Sequence, residues 1–168
     1  MFNIDIRNRA LKIKMVVFDV DGVMTDGSMI YDNNGLQYKT FHAKDGQGIA
    51  MLEKFGIKTA IITAKESGAV LHRFQDLGMT KLYQGVKNKI EAMKELVSDF
   101  ALDYSEVAYM GDDLPDIGVL KEVGLSACPN DAVIEVKAIC NYISAKRGGR
   151  GAVRELCDLI YKTQSKNK

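Results

Sequence analysis

Proline and cysteine are scarce in this chain. Its 168 residues include two prolines and three cysteines, Cys128, Cys140 and Cys157. An odd cysteine count with no C-x-x-C pair argues against a disulfide framework and a cysteine zinc site, and fits a reducing compartment. Charge of one sign is also missing. Lys plus Arg is 23 and Asp plus Glu is 22, a formal net charge of +1. That balance argues against a dedicated nucleic-acid or polyanion binder. No apolar run approaches a membrane span, and the N-terminus lacks the apolar core of a signal peptide. The expectation is a cytoplasmic protein with neither nucleic acid nor membrane as partner. A chain of this length, 46% apolar, can fill one core and has little room for a second domain. One domain is placed at 1–162, and the polar, cationic tail 163–168 is expected to be disordered.

Three short runs read as buried parallel strands: Met15 to Phe18, Lys58 to Ile62 and Val107 to Met110. Two weaker candidates are Lys81 to Tyr83 and Gly124 to Ala127. Helical stripes lie between them, at Ile49, Leu52 and Phe55, at Val70, Phe74 and Leu77, and from Ile90 to Phe100. Strands alternating with helices imply an α/β fold, a doubly wound, Rossmann-like parallel sheet covered on both faces. One segment breaks the alternation. Residues 28–41 read as a β-hairpin turning at Asn34-Gly35, serving as a flap over a site or as an oligomer contact.

Acidic residues gather at strand ends, where ligands bind in open α/β sheets. The first strand runs into Asp19-Val20-Asp21-Gly22-Val23-Met24-Thr25-Asp26-Gly27. Asp19 and Asp21 share a face while the backbone stays extended. Paired carboxylates repel unless a cation or a shared proton intervenes; the alternative is a surface loop in which Asp caps a turn. The third strand runs into Gly111-Asp112-Asp113-Leu114-Pro115-Asp116. Oxygen ligands there suit a hard cation such as Mg²⁺, whereas Asp113 or Asp116 could simply support the next helix. Thr63 ends the second strand, and Lys87 and Lys89 open a later helix.

In this order the four pieces resemble the haloacid dehalogenase superfamily of phosphotransferases. A phosphoacceptor receiver domain also uses Asp, Thr, Lys and Mg²⁺, but it spreads its acids over different strands. The resemblance implies roles. Asp19 is the nucleophile that forms an aspartyl-phosphate, and Asp21 is the acid and base. Thr63 holds phosphoryl oxygens and Lys89 offsets their charge. Asp19, the Asp21 carbonyl and Asp112 hold Mg²⁺.

Superfamily members often carry an inserted cap domain. Here 41 residues (22–62) and 25 residues (64–88) separate the motifs, too few for a cap. Finer features resemble the 3-deoxy-D-manno-octulosonate 8-phosphate phosphatase family. They are the hairpin, Lys44-Asp45-Gly46-Gln47-Gly48-Ile49, Leu82-Tyr83-Gln84-Gly85 and Arg147-Gly148-Gly149-Arg150-Gly151-Ala152-Val153-Arg154-Glu155. That family implies a small phosphorylated sugar-acid substrate and a homotetramer whose neighbours complete each active site. It implies substrate contacts at Asp21, at His42, Ala43, Lys44, Asp45 and Gly46, and at Lys65, Arg73, Lys89 and Asp113. The glycine-rich arginine segment reads as a flexible cationic loop near a neighbour's site. Departures from the family are Lys65 and Lys44 where Arg is usual, and Ala50 at a further Arg position. They keep nonulosonate 9-phosphates open as the alternative substrate.

Overall fold

The architecture is described from a computed structural model covering residues 4–166. Helix α1 (Ile4–Lys12) leads into β1 (Met15–Phe18). A short hairpin follows, β2 (Ile30–Tyr31) and β3 (Gln37–Tyr38). Then come α2 (Ala43–Phe55), β4 (Lys58–Ile62), α3 (Gly68–Asp76), β5 (Lys81–Tyr83) and α4 (Lys89–Asp99). The last third is β6 (Val107–Met110), α5 (Ile117–Leu120), β7 (Leu125–Cys128), α6 (Ile134–Lys137), β8 (Tyr142–Ile143) and α7 (Ala152–Ser165).

Six strands form one parallel sheet in the order β5-β4-β1-β6-β7-β8. Both faces are covered, so the strands are apolar throughout. Alternation sorts their side chains. Val16, Phe18, Ala108 and Met110 enter the core under α1, α2 and α7. Met15, Val17, Val107 and Tyr109 enter the core under α4 and α5. β1 is central, and its register aligns Phe18 with both Ile61 and Met110. Asp19, Thr63 and Gly111-Asp112 therefore leave the same sheet edge side by side. The chain winds outward from β1 to β4 and β5, then back to β6. The crevice between β1 and β6 is the reversal point where such sheets bind ligands.

The doubly wound fold and the hairpin follow the expectation, with Gly35 at the turn (φ +79°). The weaker strand at 124–127 is shifted by one residue, to Leu125–Cys128. The disordered tail is corrected. Residues 163–165 are the last turn of α7, and the Thr163 hydroxyl donates to the Leu159 carbonyl at 2.7 Å. Gln164 Nε2 donates to the Ala10 and Ile13 carbonyls at 2.9 and 2.7 Å, satisfying acceptors that the end of α1 leaves open. Residues 167 and 168, also in that tail, lie outside the described residues.

The arginine-glycine segment is corrected too. Gly148 and Gly149 are buried. They run against the backbone that follows β1. A Cβ on Gly148 would lie 1.8 Å from the Gly22 carbonyl oxygen, and one on Gly149 2.5 Å from the Asp26 nitrogen. The Gly149 N–H donates to the Val23 carbonyl at 2.9 Å. Close backbone approach, not flexibility, requires glycine there.

Candidate active site

The loop after β1 makes a tight turn in which the Thr25 N–H donates to the Val20 carbonyl at 3.1 Å. Gly22 sits in it at φ +85°, and a Cβ there would meet Asp112 Oδ2 at 2.0 Å. The absent side chain lets Asp112 close on Asp19. Together Asp19, Asp21, Met29, Thr63, Lys65, Lys89, Asp112, Asp113 and Asp116 line one cavity at the sheet edge.

Lys89 opens α4, whose Asn88 side chain caps the helix by accepting from the Ile90 N–H at 3.2 Å. Its ammonium is buried and lies 3.0 Å from Asp19 Oδ2 and 2.7 Å from Asp116 Oδ1. Burial works against that charge, but Asp19 and Asp116 outweigh it and raise the Lys89 pKa. Burial, reinforced by Asp116, lifts Asp19 to about 6 despite Lys89. Burial lifts Asp112 further, to about 8, helped by Asp19, Asp116 and Asp113.

Asp116 is the hub of this arrangement. Oδ1 accepts from Lys89 and from the Tyr109 hydroxyl at 2.6 Å. Oδ2 accepts from the Asp112 and Asp113 N–H groups at 2.9 and 3.2 Å. Sequence reasoning weighed Asp116 as a member of the acidic cluster or as a helix support, not as a hub, and passed over Tyr109. The available signal was Tyr109 itself, a hydroxyl inside a four-residue buried strand, which needs a buried partner.

Oxygens of Asp19, Asp112 and Asp116 lie within 4.8 Å of one another. Asp116 already accepts four hydrogen bonds, which leaves Asp19 and Asp112 with lone pairs to offer. Asp112 Oδ1 is buried without a hydrogen-bond partner. An orphaned carboxylate oxygen beside a second carboxylate, both with raised pKa, fits a hard divalent cation. Asp19 and Asp112 are the residues that would hold it, with the Asp21 carbonyl the further oxygen that the family resemblance implies.

Lys39 also reaches a residue of the cavity wall, Asp21. It follows β3, and its ammonium donates to Asp21 Oδ1. Met29, at the other end of the hairpin, lies 3.4 Å from the Lys65 ammonium through its sulfur. Neither hairpin residue was singled out from sequence.

The remaining expected contacts lie elsewhere. His42 and Lys44 line a second cavity with Lys146, Arg150, Gly151 and Arg154. Ala43 is exposed on the first turn of α2. Asp45 points inward, and its carboxylate accepts the N–H groups of Gly151 and Arg154 at 3.3 and 2.8 Å. Burial raises its pKa against those bonds. The Arg73 guanidinium packs over Phe41 at 5.7 Å and donates to the His42 carbonyl at 3.4 Å. Gly46 makes room for it, since a Cβ would lie 2.2 Å from Arg73 Nη2. Within one chain, then, the strand-end aspartates and the pair His42 and Lys44 line different cavities.

Sheet, crevice and acidic loops define the class of the haloacid dehalogenase-like hydrolases, whose family model matches residues 78–156. The 3-deoxy-D-manno-octulosonate 8-phosphate phosphatase of Escherichia coli K12 is 41% identical over 162 residues, 96% of this chain and 86% of its own. The Yersinia pestis phosphatase of the same name superposes with a TM-score of 0.95 at 42% identity, covering 97% of this chain and 88% of that one. The Moraxella catarrhalis enzyme, solved with magnesium, phosphate and KDO, gives 0.94 at 38% identity, with 96% and 92% covered. The chain belongs to this phosphatase family.

Proposed function

We propose that this chain is a Mg²⁺-dependent phosphatase that hydrolyses 3-deoxy-D-manno-octulosonate 8-phosphate to the sugar acid and phosphate, a step in making a lipopolysaccharide precursor in the cytoplasm. The observation that carries the reading is the meeting of Asp19, Asp21, Thr63, Lys89 and Asp112 around one cavity. Mg²⁺ would supply charge neutralisation that lets an anionic carboxylate meet an anionic phosphate.

Asp19 attacks phosphorus and becomes an aspartyl-phosphate as the sugar alkoxide leaves. Asp21 gives that alkoxide its proton, then takes one from the water that hydrolyses the intermediate. Thr63 and Lys89 hold the phosphoryl oxygens, with Lys89 already charged by its two aspartates. Asp113 and Lys65 meet the substrate at the cavity rim.

A single domain with no cap leaves a small sugar acid open to water. The hairpin offers a means of closure, since Ile30, Tyr31, Leu36 and Tyr38 are each at least half exposed, at 52%, 57%, 59% and 50%. Apolar side chains so exposed on one short hairpin call for a cover. A homotetramer that packs its hairpins together provides one. It also brings the cationic cavity of His42, Lys44, Arg150 and Arg154 toward a neighbour's site as the sugar carboxylate's partner.

The decisive experiment measures phosphate release from octulosonate 8-phosphate, nonulosonate 9-phosphates and simple sugar phosphates, with Mg²⁺ and with EDTA. Preference for the octulosonate with Mg²⁺ is expected. A preference for nine-carbon acids would move the substrate, consistent with Lys65 lacking the guanidinium fork that suits a carboxylate. No hydrolysis of any of them would overturn the reading. Light scattering that finds a monomer would overturn the tetramer.

A further inference from the structure

Two lysines from different elements each pair with one of the carboxylates that line the acidic cavity. Lys89 comes from α4 and pairs with Asp19. Lys39 comes from the hairpin and pairs with Asp21. We propose that Lys39 is a positioning residue for phosphoryl transfer: its ammonium holds the Asp21 carboxylate in the orientation from which the acid reaches the leaving oxygen.

The geometry separates Lys39 from an ordinary hairpin lysine. Its neighbours Tyr38 and Thr40 are exposed, yet its own side chain is only 2% exposed. A lysine on so short and open a ribbon would ordinarily keep its ammonium in water. Burying the charge is unfavourable unless a partner compensates it. Among the described residues Asp21 is the one carboxylate that forms an ion pair with it. The contact falls on Oδ1 alone, so Oδ2 stays available to the substrate.

Asp21 needs such a hold. It sits in the turn after β1, outside the regular ladder, and no neighbouring backbone N–H is bonded to its carboxylate among the described residues. Asp116, by contrast, is fixed by four donors. An acid that must meet one bridging oxygen loses rate steeply when it can swing away. Lys39 restricts that swing. Met29 lines the cavity at the start of the same hairpin, so the hairpin engages the site at both ends. Its seating and the aim of Asp21 are then one event.

The proposal rests on the acid role given to Asp21, and leaving-group dependence separates the two. A sugar alkoxide needs a proton to depart; nitrophenolate does not. First-turnover rates are measured by rapid quench on octulosonate 8-phosphate and on 4-nitrophenyl phosphate, for Lys39→Met, Lys39→Arg and Asp21→Asn. Cooperative melting and light scattering check fold and assembly. We expect Lys39→Met to slow the sugar phosphate about 10- to 100-fold while the aryl phosphate slows less than about threefold. KM should stay within about threefold, and Lys39→Arg should regain most of the rate. Asp21→Asn should give the same contrast, more strongly. Equal losses on both substrates, a change in KM alone or no change would overturn the role of Lys39. An Asp21→Asn enzyme with no leaving-group contrast would remove the acid role, and the proposal with it. Should Lys39→Met not fold, Lys39→Gln carries the same comparison.

Discussion

The Tyr109 hydroxyl donates to Asp116 Oδ1 at 2.6 Å, inside the core between the sheet and α4. Asp116 in turn fixes Lys89 and the backbone of Asp112 and Asp113. A fully buried tyrosine in β6 thus helps aim groups on α4 and on the acidic loop. Burial, with the nearby carboxylates, holds the Tyr109 pKa well above 10.0, so the phenol remains a donor.

Replacing Tyr109 by Phe removes one of four donors from a buried carboxylate. The expected loss of stability is about 1–3 kcal/mol, because a buried acceptor of Asp116 loses one of its hydrogen-bond partners. In a chain of this size that is a fall of several degrees in melting temperature, on the order of 2–4 °C per kcal/mol. Turnover should fall with it, since Lys89 and Asp112 loosen. An unchanged melting curve would mean that Asp116 is held adequately by the other three.

Asp19→Asn should abolish turnover, by about 10³-fold or more, because an amide oxygen is no substitute for the nucleophile. The fold should survive. Lys89 keeps its ion pair with Asp116, and the repulsion that Asp19 exerts on Asp112 disappears. Circular dichroism and a phosphate-release assay test both halves. Retained turnover would remove Asp19 from its role.

Parts of this site were readable in the sequence for a physical reason. Asp19 directly follows an apolar strand and Asp112 follows another with one residue between, so the parallel-sheet pattern already puts them at one edge. Lys89 and Thr63 were readable as members of an ordered set of motifs. What stayed hidden depends on contacts distant in the chain. Asp116 looks like a helix support at its own position and becomes a hub only when β6 faces α4. Lys39 meets Asp21 because the hairpin folds back, which alternation cannot express. The two residues of β8 are too few for any period, and α1 is polar over much of its surface. Gly148 and Gly149 read as flexible because the backbone they touch lies more than a hundred residues upstream.

Gly148→Ala tests that last contact. Its Cβ would lie 1.8 Å from the Gly22 oxygen and 2.5 Å from the Gly22 carbonyl carbon. Both are backbone atoms and cannot rotate aside. Either the 147–151 segment or the loop after β1 must shift. Overpacking of this kind costs about 1–3 kcal/mol or more. Turnover should fall further than stability alone explains, because Gly22 is adjacent to Asp21. A variant that melts and turns over like the parent would show that the two backbones are not in contact.

Removing the metal should make stability depend on pH in a stated direction. Asp19 is lifted from 3.8 to about 6 and Asp112 from 3.8 to about 8, burial being the main cause in each. A carboxyl whose native pKa exceeds its unfolded one holds its proton more tightly in the native state. Its stabilising share is complete below the unfolded value and is lost as pH rises through the native value. In EDTA the melting temperature should therefore fall as pH is raised from about 6 to about 8, as Asp112 is forced to ionise without a partner. Mg²⁺ reverses this, because it binds the ionised carboxylates. The gain in melting temperature on adding Mg²⁺ should be larger at the alkaline end of that window. Asp112→Asn should flatten the EDTA profile and remove the Mg²⁺ gain, since the amide neither ionises there nor offers the cation a negative oxygen. A metal-free melting temperature that rises across the same window would show that the buried carboxylates are compensated from within the chain.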